Sequence, residues 1–460
     1  MTSINREAIY KYFPVSMQNL LCFLEGWRIE RFRYNGSYEN LFAEIKSRTW
    51  ISYDEVCEFR TKRLIDFLKW SVATVPYYRK LFKTLGTYPM DFKSTEDLKR
   101  IPILSKMEIQ SNPLDFVSES IPRHKRIIVH TSGSTGAGLF FYTTRPAIQE
   151  QFAVYQRYLG WHGLSRDQWR AYFGGRSVVP VNQTNPPFWR YNFFGKQILF
   201  SGYHVSDENL SYYVEVLKKK KPKWIVGYPS LVTLLAQYIL NFGISLGYSV
   251  KGIILSSENL MAQQRNAIEE AFGIKPIQDY GLAEAVANIS QCERGCLHVD
   301  EDFSAVEFIS TGNGNGHRVI GTNFTNLATS LIRYDTEDIV SLSEEKCACG
   351  RPGRVVKSID GRREDYVILK NGVKIGRMDH VFKDLINIRE AQLYQRIPGH
   401  IEVRIVKGDK YNKKDESQMI YELKKRVGEK NIPTLLARRG MKINFGDGAE
   451  VLILFPKREA

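Results

Sequence analysis

Cysteine is scarce: the 460 residues hold six, which excludes the disulfide framework of a small secreted domain. Cys22 and Cys57 stand alone and read as small buried hydrophobes. No uninterrupted apolar run reaches roughly 18 residues, so no segment reads as a transmembrane helix. Residues 1–30 carry charges at short intervals and lack the apolar h-region of a secretory signal. The expected compartment is the cytoplasm. Low-complexity tracts and internal repeats are also missing, and the length suggests two or three globular domains.

What is present is ordinary core material and an excess of base. Hydrophobic residues make up 43%, charged residues 25%, and the net charge is +15. Such a charge attracts anions: nucleotides, CoA, anionic lipid or nucleic acid. The basic residues are dispersed, with one dense run at Lys218–Lys221. That run closes a predicted helix, where lysine suits the macrodipole. No nucleic-acid recognition fold accompanies the charge, so nucleic acid is not an expected partner.

One stretch organises the rest: His130-Thr131-Ser132-Gly133-Ser134-Thr135-Gly136-Ala137-Gly138. It follows an apolar run, Ile127-Ile128-Val129, that reads as a buried strand. Glycines let backbone N–H groups approach a ligand closely. Converging N–H groups and Ser/Thr hydroxyls suit a phosphate chain. The closing Gly-Lys-Ser/Thr of a Walker A loop is missing.

Residues 1–110 read as mostly helical scaffold, with a helix over 54–74 broken at Pro76. Helical spacing returns over 147–159. Arg170 to Phe173 is strand-like and runs into Gly174-Gly175. An aromatic, proline-rich loop is expected over 179–194. From Gln197 strands and helices alternate in units of about 25 residues, which predicts a parallel α/β sheet. Ligands sit beyond the carboxyl ends of such strands. The loops at 174–176, 227–230, 256–258 and 280–284 are therefore expected around one cleft. Residues 303–345 read as β-rich, with a turn at 313–316. Residues 366–460 read as a small α+β unit, with strands at 401–406 and 451–455 and a helix over 415–427.

Three further segments join the loop: Asp279-Tyr280-Gly281-Leu282-Ala283-Glu284, Leu331 to Asp338, and Gly361 to Tyr366. In order and spacing the set resembles the adenylate-forming superfamily, in its phenylacetate–CoA ligase branch. Pro187 to Asn192 and Phe200 to His204 resemble the CapK-like members, associated with capsular and other surface polysaccharides. The resemblance spans about residues 90–390. It implies a large N-terminal adenylation domain with parallel sheets and a β-rich subdomain (1–364), and a small mobile C-terminal α+β domain (365–460). It implies ATP and Mg²⁺, and activation of a small carboxylic acid as its adenylate. The acyl group then passes to CoA, an amine or a hydroxyl.

Carried onto this sequence, the resemblance assigns phosphate contacts to Thr131, Ser132, Gly133, Ser134, Thr135 and Gly136. It assigns the magnesium carboxylate to Glu284 and the ribose acid to Asp338. Ser256, Ser257, Glu258, Asp279, Tyr280 and Gly281 line the nucleotide, with Tyr280 on adenine. Arg362 lies near ribose and phosphate, and Asp365 near the hinge. Lys457 falls near the adenylation lysine, although Pro456 replaces the usual glycine. Glu337 also departs from the pattern, standing where the family has glycine beside the ribose acid. The acid pocket is expected from Tyr172, Phe173, Arg176, Trp189, Tyr228 and Pro229, with Arg176 or Arg190 for a second anionic group. A catalytically weakened, nucleotide-binding homologue is the alternative that Glu337 and the C-terminus motivate.

Cys292, Cys296 and His298 form one cluster and Cys347-Ala348-Cys349-Gly350 another. Two half-sites supply the four N/S ligands of structural zinc. The resemblance also implies zinc here. The expected set is Cys292, His298, Cys347 and Cys349, with Cys296 competing.

Overall fold

The computed structural model describes residues 10, 12–131, 139–180, 183–312, 316–361, 367–369, 374–375, 381, 388–407, 411–427 and 434–438. The chain divides into two compact units. One comprises Met1–Val129 and Phe141–Arg362, the other His130–Phe140 and Arg363–Ala460.

The first unit begins with helices α1 (Val15–Tyr34), α2 (Tyr38–Ser47), α3 (Tyr53–Thr74), α4 (Pro76–Leu85) and the short α5 (Lys106–Ser111). Ser52 caps α3 in a reciprocal box with Glu55, satisfying two otherwise orphaned N–H groups. Pro76 does not merely break the pattern. It starts α4 at the first helical position, where its missing N–H costs nothing. Strands β1 (Ile127–His130) and β2 (Phe140–Thr143) form a two-stranded sheet, and α6 (Arg145–Trp161) follows.

A single twelve-stranded sheet holds the site. Its parallel half comprises β3 (Arg170–Gly174), β5 (Gln197–Ser201), β6 (Trp224–Gly227), β7 (Gly252–Leu255) and β8 (Ile277–Gly281). Helices α7 (Asp207–Lys220), α8 (Pro229–Asn241) and α9 (Ala262–Phe272) connect them. The apolar face of α7, Leu210, Tyr213, Val214 and Leu217, is buried. The 179–194 stretch is not all loop. Trp189–Asn192 forms β4, an antiparallel edge strand beside β5. The antiparallel half comprises β9 (Asn288–Gln291), β10 (Leu297–Val299), β11 (Ser304–Ser310), β12 (His317–Asn323), β13 (Tyr334–Leu342) and β14 (Val355–Gly361). Across the sheet the order is β11-β12-β13-β14-β10-β9-β8-β7-β6-β3-β5-β4. Pairing changes from parallel to antiparallel at β8 and β9, where Tyr280 stands opposite Ile289.

The N-terminal helices are pinned to this sheet by charge. Asp300, Glu301 and Asp302 follow β10, and all three are buried. Arg157 on α6 bonds Asp300 at 2.7 Å and Asp302 at 2.8 and 3.0 Å. Arg48 bonds Asp302 at 2.9 Å. Arg60 on α3 and Arg354 both pair with Glu301. How residues 1–110 attach was not legible, because Arg60 and Arg48 lie 241 and 254 positions from their partners.

In the second unit, β15 (Val367–Ile368) pairs with β16 (Lys374–Ile375). Strands β17 (Ile388–Ile397), β18 (His400–Lys407) and β19 (Thr434–Arg438) form a three-stranded sheet, joined by α10 (Lys413–Val427). Its core includes Leu393, Val403, Met419 and Leu423. The expected turn residues 313–315 and strand 451–455 lie outside the described residues.

Candidate active site and metal cluster

Glu284 follows β8 and is 4% exposed. The Tyr334 hydroxyl lies 3.5 Å from its Oε1, and its backbone carbonyl accepts from Asn323 at 3.3 Å. Asp338, on β13, is buried as well. The Tyr280 hydroxyl donates to Asp338 Oδ2 at 2.7 Å. Two residues 58 positions apart, assigned separately to adenine and ribose, are thus bonded to one another. Tyr334 was missed, although it lies in the same segment as Asp338.

Glu337 explains its own departure from glycine. Its φ is +63°, the left-handed region that glycine adopts at little cost. Its side chain is exposed while Thr336 and Asp338 on either side are buried. The extra carboxylate therefore points away from its neighbours' buried face.

The loops after β6 and β7 are joined. Glu258 accepts from the Ser230 N–H at 3.0 Å and from the Ser230 hydroxyl at 3.1 Å. Ser256 donates to the Gly227 carbonyl at 3.3 Å, and Ser257 has a φ of +70°. A Cβ at Gly227 would lie 2.3 Å from the Phe173 carbonyl oxygen, so β3 and β6 approach this closely only with glycine there. Asp279 is partly buried, and its Oδ1 has no hydrogen-bond partner among the described residues. Burial, with the Asp300 charge adding to it, pushes its carboxyl up to about 7.

Of the expected acid pocket, Tyr172 and Tyr228 remain partly exposed beside Gly174 and Gly175. Arg176 is exposed, with its guanidinium 5.5 Å from the Tyr172 ring centre. Phe173 is a correction: it is fully buried and stacked on Phe200 at 4.6 Å. Trp189 packs against that same core from the edge strand. Pro229 is buried as the first residue of α8. Arg190 is a second correction. It is fully buried and donates to Gln18, Gln183 and two backbone carbonyls. It ties α1 to the edge strand and has no exposed surface for an anion.

Thr131 belongs to the second unit. Its N–H donates to the Leu139 carbonyl and its hydroxyl accepts from the Leu139 N–H, each at 2.9 Å. These bonds close the base of the Gly/Ser/Thr stretch. Ser132, Gly133, Ser134, Thr135, Gly136, Arg362, Asp365 and Lys457 lie outside the described residues.

Cys292, His298, Cys347 and Cys349 come together with all four donor atoms within 4.8 Å of one another. The Cys292 and Cys347 sulfurs are 3.6 Å apart, and Cys349 Sγ is 3.3 Å from His298 Nε2. A tetrahedron with zinc–sulfur bonds of about 2.3 Å has an edge of about 3.8 Å. The donor types and spacing therefore fit zinc. Burial first, then neighbouring thiols, pushes Cys292 and Cys347 up to about 11. Cys296 lies outside the group of four, and its carbonyl accepts from the Cys292 N–H at 2.8 Å.

No protein-family profile matches the chain. Protein CapK of Staphylococcus aureus is 27% identical over 428 residues, 91% of this chain and 93% of that one. A phenylacetate–coenzyme A ligase of Thermus thermophilus is 27% identical over 344 residues, 69% of this chain and 72% of that one. A solved 2-hydroxyisobutyryl-CoA ligase, in complex with 2-HIB-AMP and CoA, superposes with a TM-score of 0.58. It is 17% identical and covers 87% of this chain and 90% of its own. The chain has the adenylate-forming fold, and CapK and the phenylacetate–CoA ligases are its homologues. Homology and the adenylate-forming fold together support an adenylate-forming ligase. Among the described residues no helix is long and apolar enough to cross a membrane.

Proposed function

We propose that this protein is an ATP-dependent ligase that activates a small carboxylic acid in surface polysaccharide biosynthesis. A carboxylate oxygen of the acid attacks the α-phosphorus of ATP, and the bond from that phosphorus to the pyrophosphate oxygen breaks. CoA, an amine or a hydroxyl then displaces AMP. The observation that carries the reading is the Tyr280–Asp338 hydrogen bond, with buried Glu284 four residues beyond Tyr280 in the turn after β8. Asp338 is suited to accept ribose hydroxyls, and Tyr280, tied to it through its hydroxyl, supplies an aromatic ring for adenine. Glu284 supplies the oxygen donor that Mg²⁺ prefers. When bound, Mg²⁺ would offset charge on the phosphate oxygens. We assign Thr131 to Gly136 to the phosphates, Arg362 to the ribose side and Lys457 to adenylation. Residues 365–460 are the mobile domain in this reading, and the compartment is the cytoplasm.

The expected result is release of pyrophosphate from ATP in the presence of Mg²⁺ and one member of a panel of carboxylic acids. Calorimetry that finds no heat of binding at millimolar ATP would sink the proposal. Of the two features favouring a catalytically weakened homologue, Glu337 lends no support, since its carboxylate is exposed.

We assign the Cys/His cluster to structural zinc. Elemental analysis should find about one zinc per chain. Cys347→Ser should remove most of it and lower Tm by several degrees, because a structural metal stabilises only the folded state. Protein purified without chelator that holds no metal counts against the assignment.

A further inference from the structure

Helix α1 carries an apolar stripe on its outer side. Residues 15–24 include no charged residue, contrary to the charge spacing expected of the first thirty. One side covers the sheet edge: Asn19 accepts from the Tyr191 N–H at 2.9 Å, and Gln18 accepts from Arg190 at 2.6 Å. The other side faces outward. Met17, Leu20, Leu24 and Trp27 lie along it at spacings of three and four, each between 41% and 48% exposed.

The stripe continues onto the turn after β4. Phe194 meets Phe23 of α1 at 6.0 Å, and Phe193 meets Tyr191 at 5.5 Å. Phe193 and Phe194 are themselves 51% and 42% exposed. Lysines rim this end. Lys220 lies 5.2 Å from the Tyr191 ring centre, and Lys196 lies 5.9 Å from that of Trp169, which packs on Phe193. Lys218 to Lys221 are all exposed, as is Lys223 beyond them. The lysine run thus does more than close α7. Its Lys220 borders an apolar patch.

We propose that this face is a docking surface for an anionic lipid bilayer. Apolar side chains enter the headgroup boundary while the lysines meet lipid phosphates, the arrangement of a peripheral amphipathic surface. A second copy of the chain fits less well. The helix stripe offers on the order of 400 Å², against about 800 Å² per partner for a stable interface. Two copies would also bring like charge together, since each carries +15. The inference stands apart from the ligase reading, because none of these residues is in the nucleotide site.

The test is co-flotation of the full chain with vesicles of phosphatidylcholine, alone or mixed equally with phosphatidylglycerol. Partitioning onto the mixed vesicles should exceed that onto the neutral ones by at least tenfold at low salt. Leu20→Gln/Leu24→Gln/Phe194→Gln and Lys218→Glu/Lys220→Glu should each lower it about tenfold. Circular dichroism confirms that both variants fold. Brominated lipid should quench tryptophan fluorescence less in Trp27→Phe than in the parent. No flotation with anionic vesicles overturns the proposal. So does flotation that the apolar substitutions leave unchanged, since that is adsorption by charge alone. Sedimentation as a dimer that the apolar substitutions dissociate also overturns it, assigning the face to a second copy.

Discussion

Glu284→Gln is expected to lower kcat by about 100-fold or more while KM for ATP changes little. The variant keeps the shape and loses the charge of a carboxylate that is 4% exposed. In the proposed reaction charge shifts on the α-phosphate, so a group acting there matters most in the transition state. Preorganised electrostatic groups removed from active sites cost on the order of 100- to 1,000-fold. Its Mg²⁺ requirement should move to higher concentration. Asp338→Asn should fail differently. Ribose does not react, so losing its acceptor weakens ground-state binding and raises KM for ATP, by ~10-fold for one charged hydrogen bond. Steady-state kinetics on both variants decides the matter. Two fully active variants would mean that neither carboxylate touches the nucleotide.

Arg157→Met should be the most destabilising single change in the helical scaffold. It leaves Asp300 and Asp302 buried and short of a partner. Breaking a buried pair from one side costs about 3–5 kcal/mol, or a Tm fall of roughly 10 °C. The pH dependence carries a sign that packing loss alone would not. In the parent, burial works to raise the Asp302 pKa, but Arg157 and Arg48 outweigh it and hold it at about 2. A depressed carboxylate contributes stability above its unfolded pKa of about 3.9 and loses it as pH falls toward 2. Without Arg157, burial dominates and the folded pKa rises above the unfolded one. The variant should then be more stable at pH 5 than at pH 7, whereas this group's contribution in the parent is constant between those two values. Thermal melts of both proteins at the two pH values test it. A variant that melts with the parent would show that the acids do not need Arg157.

The sequence made the alternating strands and helices legible because each repeats its own period over a short window. The Cys/His cluster was legible because Cys292 and His298, and Cys347 and Cys349, arrive as near-neighbours, and β10 and the loop before β14 bring the pairs together. Tyr280 and Asp338 could be assigned one by one, yet their bond depends on β8 and β13 being placed in one sheet. Burial was the less legible quantity. Phe173 and Arg190 have the chemistry of pocket residues, and only the packing of Phe200 and Gln18 against them removes them. The acidic tripeptide at 300–302 was invisible for a related reason. Its arginines carry no local signal that their partners lie far along the chain.

That distance sets a timetable for biosynthesis. Arg48 and Arg60 leave the ribosome about 240 to 250 residues before Asp302 and Glu301. Until those acids emerge, the first helices lack the countercharge that holds them on the sheet. A nascent chain halted before residue 300 should therefore lack the ion pairs of Arg48 and Arg60, even where α1 has already met β4. Synthesis past the acidic tripeptide is the step that gives these arginines their countercharge.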